Sequence, residues 1–203
     1  QFSDLDGDGY GDNVTGNNPD AFPNDPTQWN DSDGDGYGDN VTGNNPDAFP
    51  SDPTQWDDTD GDGCGDRPSH LGGSNADAFP LDATQCLDFD GDGYGDNQSG
   101  FQPDDCILIS GNSTIDRLGC LDSDGDGYSD PDATWTYLDG ADNFVEDSEQ
   151  WNDTDGDGYG DNPSPANNYD DCPQQWGNSS IVLQGCLDTD GDGLPDLEDD
   201  FPY

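Results

Sequence analysis

A nine-residue motif, D-x-D-G-D-G-x-x-D, occurs seven times in 203 residues, starting at Asp4, Asp31, Asp58, Asp88, Asp122, Asp153 and Asp188. The starts are separated by 27, 27, 30, 34, 31 and 35 residues. Every copy sets four carboxylates within nine positions, so a compact chain must gather like charges again and again. An oily core cannot offset this, because 27% of residues are hydrophobic and the formal net charge is −47. Such a composition alone points to disorder. The fixed period does not, because it describes a tandem array. Phosphate polymers and anionic membranes are repelled by this surface, so no nucleic acid and no membrane insertion are expected. The expected partners are cations.

The spacing within the motif says which cation. In the first copy Asp4, Asp6 and Asp8 alternate, so a curled chain brings their carboxylates to one point. Gly9 stands sixth, where an EF-hand-like loop makes a sharp turn. Tyr10 stands seventh and offers its backbone carbonyl, and Asp12 stands ninth and binds directly or through water. Donor sets made only of oxygen suit Ca2+ rather than zinc or copper. The same places are Asp31, Asp33, Asp35, Tyr37 and Asp39; Asp58, Asp60, Asp62, Cys64 and Asp66; Asp88, Asp90, Asp92, Tyr94 and Asp96. They continue as Asp122, Asp124, Asp126, Tyr128 and Asp130; Asp153, Asp155, Asp157, Tyr159 and Asp161; Asp188, Asp190, Asp192, Leu194 and Asp196. Asp199 fills the twelfth place of the last copy, just before "DFP". Aligning that element on "DAFP" makes Asp20 a twelfth ligand displaced by an inserted hairpin, "NVTGN". Asp47, Asp77, Asp104, Asp142 and Asp170 then close the other loops. Seven sites of five acids take up 35 of the 49 acidic residues, so at least seven calcium ions are expected per chain. Ion binding then supplies folding energy.

The connectors repeat too: "DAFPNDPTQW", "DAFPSDPTQW", "DAFPLDATQC" and "DNFVEDSEQW" begin at Asp20, Asp47, Asp77 and Asp142. Asp25-Pro26-Thr27-Gln28 resembles a capped helix start, so one short helical turn is expected there and at Asp52, Asp82 and Asp147. Those acids are either helix caps or bridges to a calcium of the next module. Tyr10, Tyr37 and Tyr128 should touch Trp29, Trp56 and Trp151. In the third module both places are Cys, so Cys64–Cys86 replaces the ring contact. Cys106–Cys120 and Cys172–Cys186, each 14 residues apart, are the other pairs. Each such closure stabilises by about 3 kcal/mol. Three disulfides imply an extracellular, secreted or cell-surface setting. The expected fold is irregular: an elongated tandem array of seven calcium-stapled loop modules with little regular secondary structure. The modules span about 4–30, 31–57, 58–87, 88–121, 122–152, 153–187 and 188–203.

Sequons stand at Asn13, Asn30, Asn40, Asn97, Asn112, Asn152 and Asn178, so glycans are further expected partners. The "DxDGDGxxD" loops and "DDCP" at Asp170–Pro173 resemble thrombospondin type 3 repeats. That resemblance implies a calcium-ordered, secreted, elongated array. Inserted hairpins and Tyr/Trp pairs in place of some disulfides depart from the family's pattern. Dockerins carry similar loops between true helices, which this sequence lacks. The chain starts "QFSD", matching internal "QWND" at Gln28 and Gln150, and ends "DDFPY", an unfinished connector. Phe2 of a neighbouring copy would then complete the last module beside Leu194 and Phe201, joining copies head to tail into a filament. The competing reading is an adhesin or matrix spacer, a binding module of a larger surface protein. An enzyme is not expected: the paired carboxylates all sit in metal loops, and one His offers no Ser-His or Cys-His arrangement.

Overall fold

A computed structural model describes residues 3–203. The Phe2 junction lies outside the described residues. The fold is irregular and loop-rich, as the composition requires. Among the described residues the one helical element is a 3-10 turn, Ser69–Leu71, and there is no strand longer than an isolated bridge. The chain forms two compact units, one of residues up to Phe89 with Gly95–Pro103, the other of Asp90–Tyr94 with Asp104–Tyr203. The division passes through the fourth acidic loop.

Within a unit each module is built by the same few backbone contacts. The N–H of the ninth residue donates to the carbonyl just before the loop, as in Asp39 to Asn30, Asp66 to Asp57 and Asp161 to Asn152. The closing acid's N–H donates to the eighth residue: Asp20 to Gly11, Asp47 to Gly38, Asp77 to Gly65, Asp142 to Ser129 and Asp170 to Gly160. The next residue's N–H donates to the carbonyl of the ring or Cys that ends the connector, as in Ala21 to Trp29 and Ala78 to Cys86.

Two local expectations change. The inserted segments are not β-hairpins: their ends meet in single parallel bridges such as Gly11 with Pro19 and Gly38 with Pro46. The turn at Asn13–Gly16, with Asn18 in the left-handed region at φ 54°, swings the chain over rather than straight back. The connector turns are not helical either. Asp25 caps a single turn, accepting from the Thr27 N–H and hydroxyl, and Gln28 N–H bonds the Asp25 carbonyl. The chain does not continue as helix because Gln28 and Trp29 are pulled to opposite neighbours.

The interior is polar. Among the described residues the buried hydrophobic positions are Cys64, Cys120, Ala141 and Cys186, whereas the largest fully buried side chains are Gln28, Gln55, Gln85 and Gln150. Tyr10–Trp29, Tyr37–Trp56 and Tyr128–Trp151 stack with ring centroids 5.2, 4.9 and 5.0 Å apart. Disulfides join Cys64–Cys86, Cys106–Cys120 and Cys172–Cys186, with Cα separations of 6.1, 5.0 and 5.1 Å. At the third module the disulfide stands where the first, second and fifth modules stack rings.

Candidate metal centres

Each acidic loop folds on its own carboxylates. In the second, Asp31 Oδ1 and Oδ2 accept from the N–H groups of Gly34 and Gly36, at 2.7 and 3.1 Å. Asp33 Oδ1 accepts from Asp35 N–H, and Asp35 Oδ1 from Tyr37 N–H. Gly36 reaches φ 97°, which a side chain would strain. The register is the same in the loops starting at Asp4, Asp58, Asp122, Asp153 and Asp188, from Gly7 N–H to Asp4 through Leu194 N–H to Asp192. Curling this way brings one oxygen from each of Asp4, Asp6 and Asp8 within 4.8 Å of one another, and likewise for Asp31, Asp33, Asp35 and for Asp58, Asp60, Asp62.

Asp20, Asp47, Asp77, Asp142 and Asp170 are all buried. Each gives Oδ1 to a nearby N–H two residues on, as Asp47 does to Phe49 at 2.7 Å. Burial, then the charges of Asp35, Asp33 and Asp39, raise the Asp47 carboxyl to about 6. The third, fifth and ninth acids of their own loops likewise face Asp77, raised to about 6, Asp142, to about 7, and Asp170, to about 6; burial is again the larger cause. Asp20 is raised in the same way, by burial and then by Asp8, Asp6 and Asp12.

What remains is a set of buried oxygens that accept nothing. Oδ2 of Asp6, Asp8 and Asp20 has no hydrogen-bond partner; nor has Oδ2 of Asp33, Asp35 and Asp47, of Asp124, Asp126 and Asp142, or of Asp60, Asp77, Asp155 and Asp170. Folded proteins leave few buried polar atoms unpaired, and here they are all carboxylate and all at the loop and closing positions. Among the described residues no hydrogen bond is donated to the carbonyls of Tyr10, Tyr37, Cys64, Tyr128, Tyr159 or Leu194. Hard oxygen donors of this number and charge fit Ca2+. Cys64 and Cys86 also lie near Asp62, but their sulfurs are joined to each other and cannot act as ligands. In the sixth loop Asp157 Oδ2 takes the N–H of Gly177, so the connector enters that centre.

The ninth acid stands apart. Asp39 gives Oδ1 to Ser32 N–H and Oδ2 to the Ser32 hydroxyl and the Asn30 amide. Asp66, Asp130, Asp161 and Asp196 do the same with Thr59, Ser123, Thr154 and Thr189. Burial pushes the Asp39 carboxyl up, but the Ser32 and Asn30 hydrogen bonds outweigh it and hold it below its ordinary value. Both oxygens are thus occupied in stapling the loop to its second residue, an arrangement suited to contact through water. In the seventh loop Asp199 Oδ1 accepts from Phe201 N–H.

The connector acids cap a turn instead of a helix. Asp25 Oδ1 also accepts from Asn44 in the next module, and Asp52 Oδ2 bonds the Ser74 hydroxyl there. They bridge modules by hydrogen bonds.

Three features escape the sequence reading. The first is the buried glutamine. Gln28 Nε2 donates to the carbonyls of Asn40 and Asn44, both at 3.0 Å, and Oε1 accepts from Asn40 N–H. Gln55, Gln85 and Gln150 plug the following module in the same way. The signal is there in the sequence: Gln28, Gln55, Gln85 and Gln150 each precede by ten residues the glycine at the loop's eighth place. Where Gly119 and Gly185 stand instead, that eighth place is Ser129 or Pro195. The second is a buried serine that closes its own connector: Ser113 Oγ donates to the Arg117 carbonyl and accepts from Cys120 N–H, as Ser179 does with Leu183 and Cys186. The third is Arg117, paired with Asp132 at 2.7 Å, bonded to Ser129 Oγ and lying over the Trp135 ring.

No protein-family model matches the chain, and no curated protein matches its sequence.

Proposed function

We propose that this chain is a secreted structural calcium-binding repeat protein, rigid because divalent ions hold the acidic loops closed. The observation that carries this is the buried, unpaired carboxylate oxygen found at both the loop and its distant closing acid. Bound calcium supplies the positive charge that lets these carboxylates stay ionised side by side. The chain's own residues do the rest: the loop glycines turn the backbone, the ninth acid staples the loop start, and Asp20, Asp47, Asp77, Asp142 and Asp170 tie the inserted segment back to it. Thrombospondin type 3-like loops and three disulfides support a place outside the reducing cytosol. No helix among the described residues is long and apolar enough to cross a membrane. The reading is non-catalytic.

Calcium counting tests it. Equilibrium dialysis with elemental analysis should give at least seven ions per chain, at dissociation constants of roughly 10⁻⁴ to 10⁻³ M or tighter. Asp142→Asn should remove about one of them, because each closing acid serves one loop. An unchanged count in that variant would break the assignment of the displaced ligand.

The finer proposal is head-to-tail association. Phe201 is 80% exposed, and no ring stacks on Leu194 among the described residues, unlike Tyr10, Tyr37 and Tyr128. Sedimentation in calcium should show polymers that Phe2→Ala abolishes. A chain that stays monomeric and captures a matrix ligand favours the spacer reading.

A further inference from the structure

We infer that Asn112 and Asn178 are glycan-bearing asparagines and that Asn30, Asn40, Asn97 and Asn152 serve the fold instead; this rests on the secreted reading. Asn13, whose Oδ1 accepts from the Thr15 N–H and hydroxyl, spends no Nδ2 hydrogen bond on the fold and stays open to the same reaction. A sequon asparagine reacts through Nδ2. Its nitrogen bonds to C1 of a sugar on a polyprenyl pyrophosphate carrier, the C1–O bond breaks, the pyrophosphate leaves with its electrons and Nδ2 gives up a proton. The folded chain keeps the product only if Nδ2 is not needed inside.

At four sequons it is needed. Asn40 Nδ2 donates to the Thr27 carbonyl at 2.7 Å, and Asn97 Nδ2 to the Thr84 carbonyl at 2.8 Å, each locking a module to the one before. Asn30 and Asn152 spend Nδ2 on Asp39 with Ser32 and on Asp161 with Thr154. Their sequon hydroxyls are spent as well, Ser32 on Asp39 and Thr154 on Asp161. The middle residue of both triplets, Asp31 or Asp153, is the first acid of a metal loop.

Asn112 and Asn178 differ in every respect. They sit in equivalent segments, "GNSTI" and "GNSSI", pinned by backbone bonds from Asn112 and Ser113 N–H to the Cys120 carbonyl and from Asn178 and Ser179 N–H to the Cys186 carbonyl. Both side chains are exposed, and among the described residues neither takes part in a hydrogen bond. Thr114 and Ser180, which complete the sequons, are exposed with uncommitted hydroxyls. The buried Ser113 and Ser179 between them point the other way, so the asparagines face out.

The test is a glycopeptide map of the full chain, secreted by a eukaryotic host and separated by native chromatography in calcium. In the folded fraction, occupancy at Asn112 and Asn178 should exceed that at Asn40 and Asn97 by about ten-fold, the factor set by one lost internal hydrogen bond of about 1.4 kcal/mol. Asn112→Gln and Asn178→Gln should leave the melting midpoint in calcium unchanged, whereas Asn40→Gln and Asn97→Gln lower it. Equal occupancy at Asn40 or Asn97 in folded material, or bare Asn112 and Asn178, overturns the inference. If calcium does not order the chain, the calcium reading fails on its own circular dichroism, and the map of the disulfide-bonded secreted chain still decides this one.

Discussion

Adding EDTA at pH 7.5 should abolish the near-ultraviolet circular dichroism of the stacked Tyr10–Trp29, Tyr37–Trp56 and Tyr128–Trp151 pairs and open the chain to protease, with the three disulfides intact. Magnitudes require it. Oxygens of three carboxylates lie within 4.8 Å in one loop. At an effective dielectric of about 20, each such pair repels by about 3–4 kcal/mol. Three pairs give about 10 kcal/mol, comparable with a whole domain's stability of about 5–15 kcal/mol, and several loops repeat the cost. No oily core offsets it. Asp47, Asp77 and Asp170 at about 6 and Asp142 at about 7 set the pH window. Their folded values lie above the ordinary 3.8, so in chelator their stabilising contribution is whole below that value and is lost as pH rises toward 7. The chelated chain should therefore regain ring dichroism near pH 4. With calcium present the sign reverses, because protons and the ion compete for the same oxygens. Ring dichroism unchanged by EDTA at pH 7.5 would sink the account.

Much of the site was legible because ligand chemistry dictates spacing. Alternating acids with Gly at the sixth place define a loop without any help from tertiary structure. The candidate closing acids come from aligning Asp20 on Asp199, a comparison that only a repeat allows. The Cys pairing followed from Cys64 and Cys86 standing where Tyr10 and Trp29 stand. What stayed hidden was whatever crosses a module boundary. Asp25-Pro26-Thr27-Gln28 carries a helix-start pattern, and local propensity gives no hint that Gln28 has a better set of partners twelve and sixteen residues ahead. The ninth acid was hidden for a related reason: Ser32 and Thr59 at the second place look interchangeable with Leu5 until their hydroxyls are seen on Asp39 and Asp66. The inserted segments read as hairpins because turn chemistry shows where a chain reverses, not which direction it leaves.

Gly38→Ala should cost about 3–5 kcal/mol in calcium, more than an ordinary surface substitution, through overpacking and lost hydrogen bonds together. Gly38 does not occupy the left-handed region, so a side chain there strains no backbone. The obstacle is Gln28: a Cβ on Gly38 would stand 2.1 Å from its Cδ and Oε1. Gln28 is buried and bonded on both ends of its amide, so it must leave, abandoning the Asn40 N–H and the carbonyls of Asn40 and Asn44. Gln28→Ala makes the same loss without the clash and should cost about 3 kcal/mol, about 1 for each hydrogen bond. The double variant should then cost no more than Gln28→Ala alone, a coupling of about 3–5 kcal/mol in a double-mutant cycle followed by urea unfolding in calcium. Additive costs would mean that the glycine and the plug are independent. The natural sequence has already run part of this experiment: with Gly119 and Gly185 in the plug position, Ser129 and Pro195 are accommodated at the eighth place, and Arg117 reaches over to bond Ser129. The contact between successive modules therefore rests on a buried amide fitted to a missing methyl group, and under the proposed function calcium would act by keeping the loop that offers that space in shape.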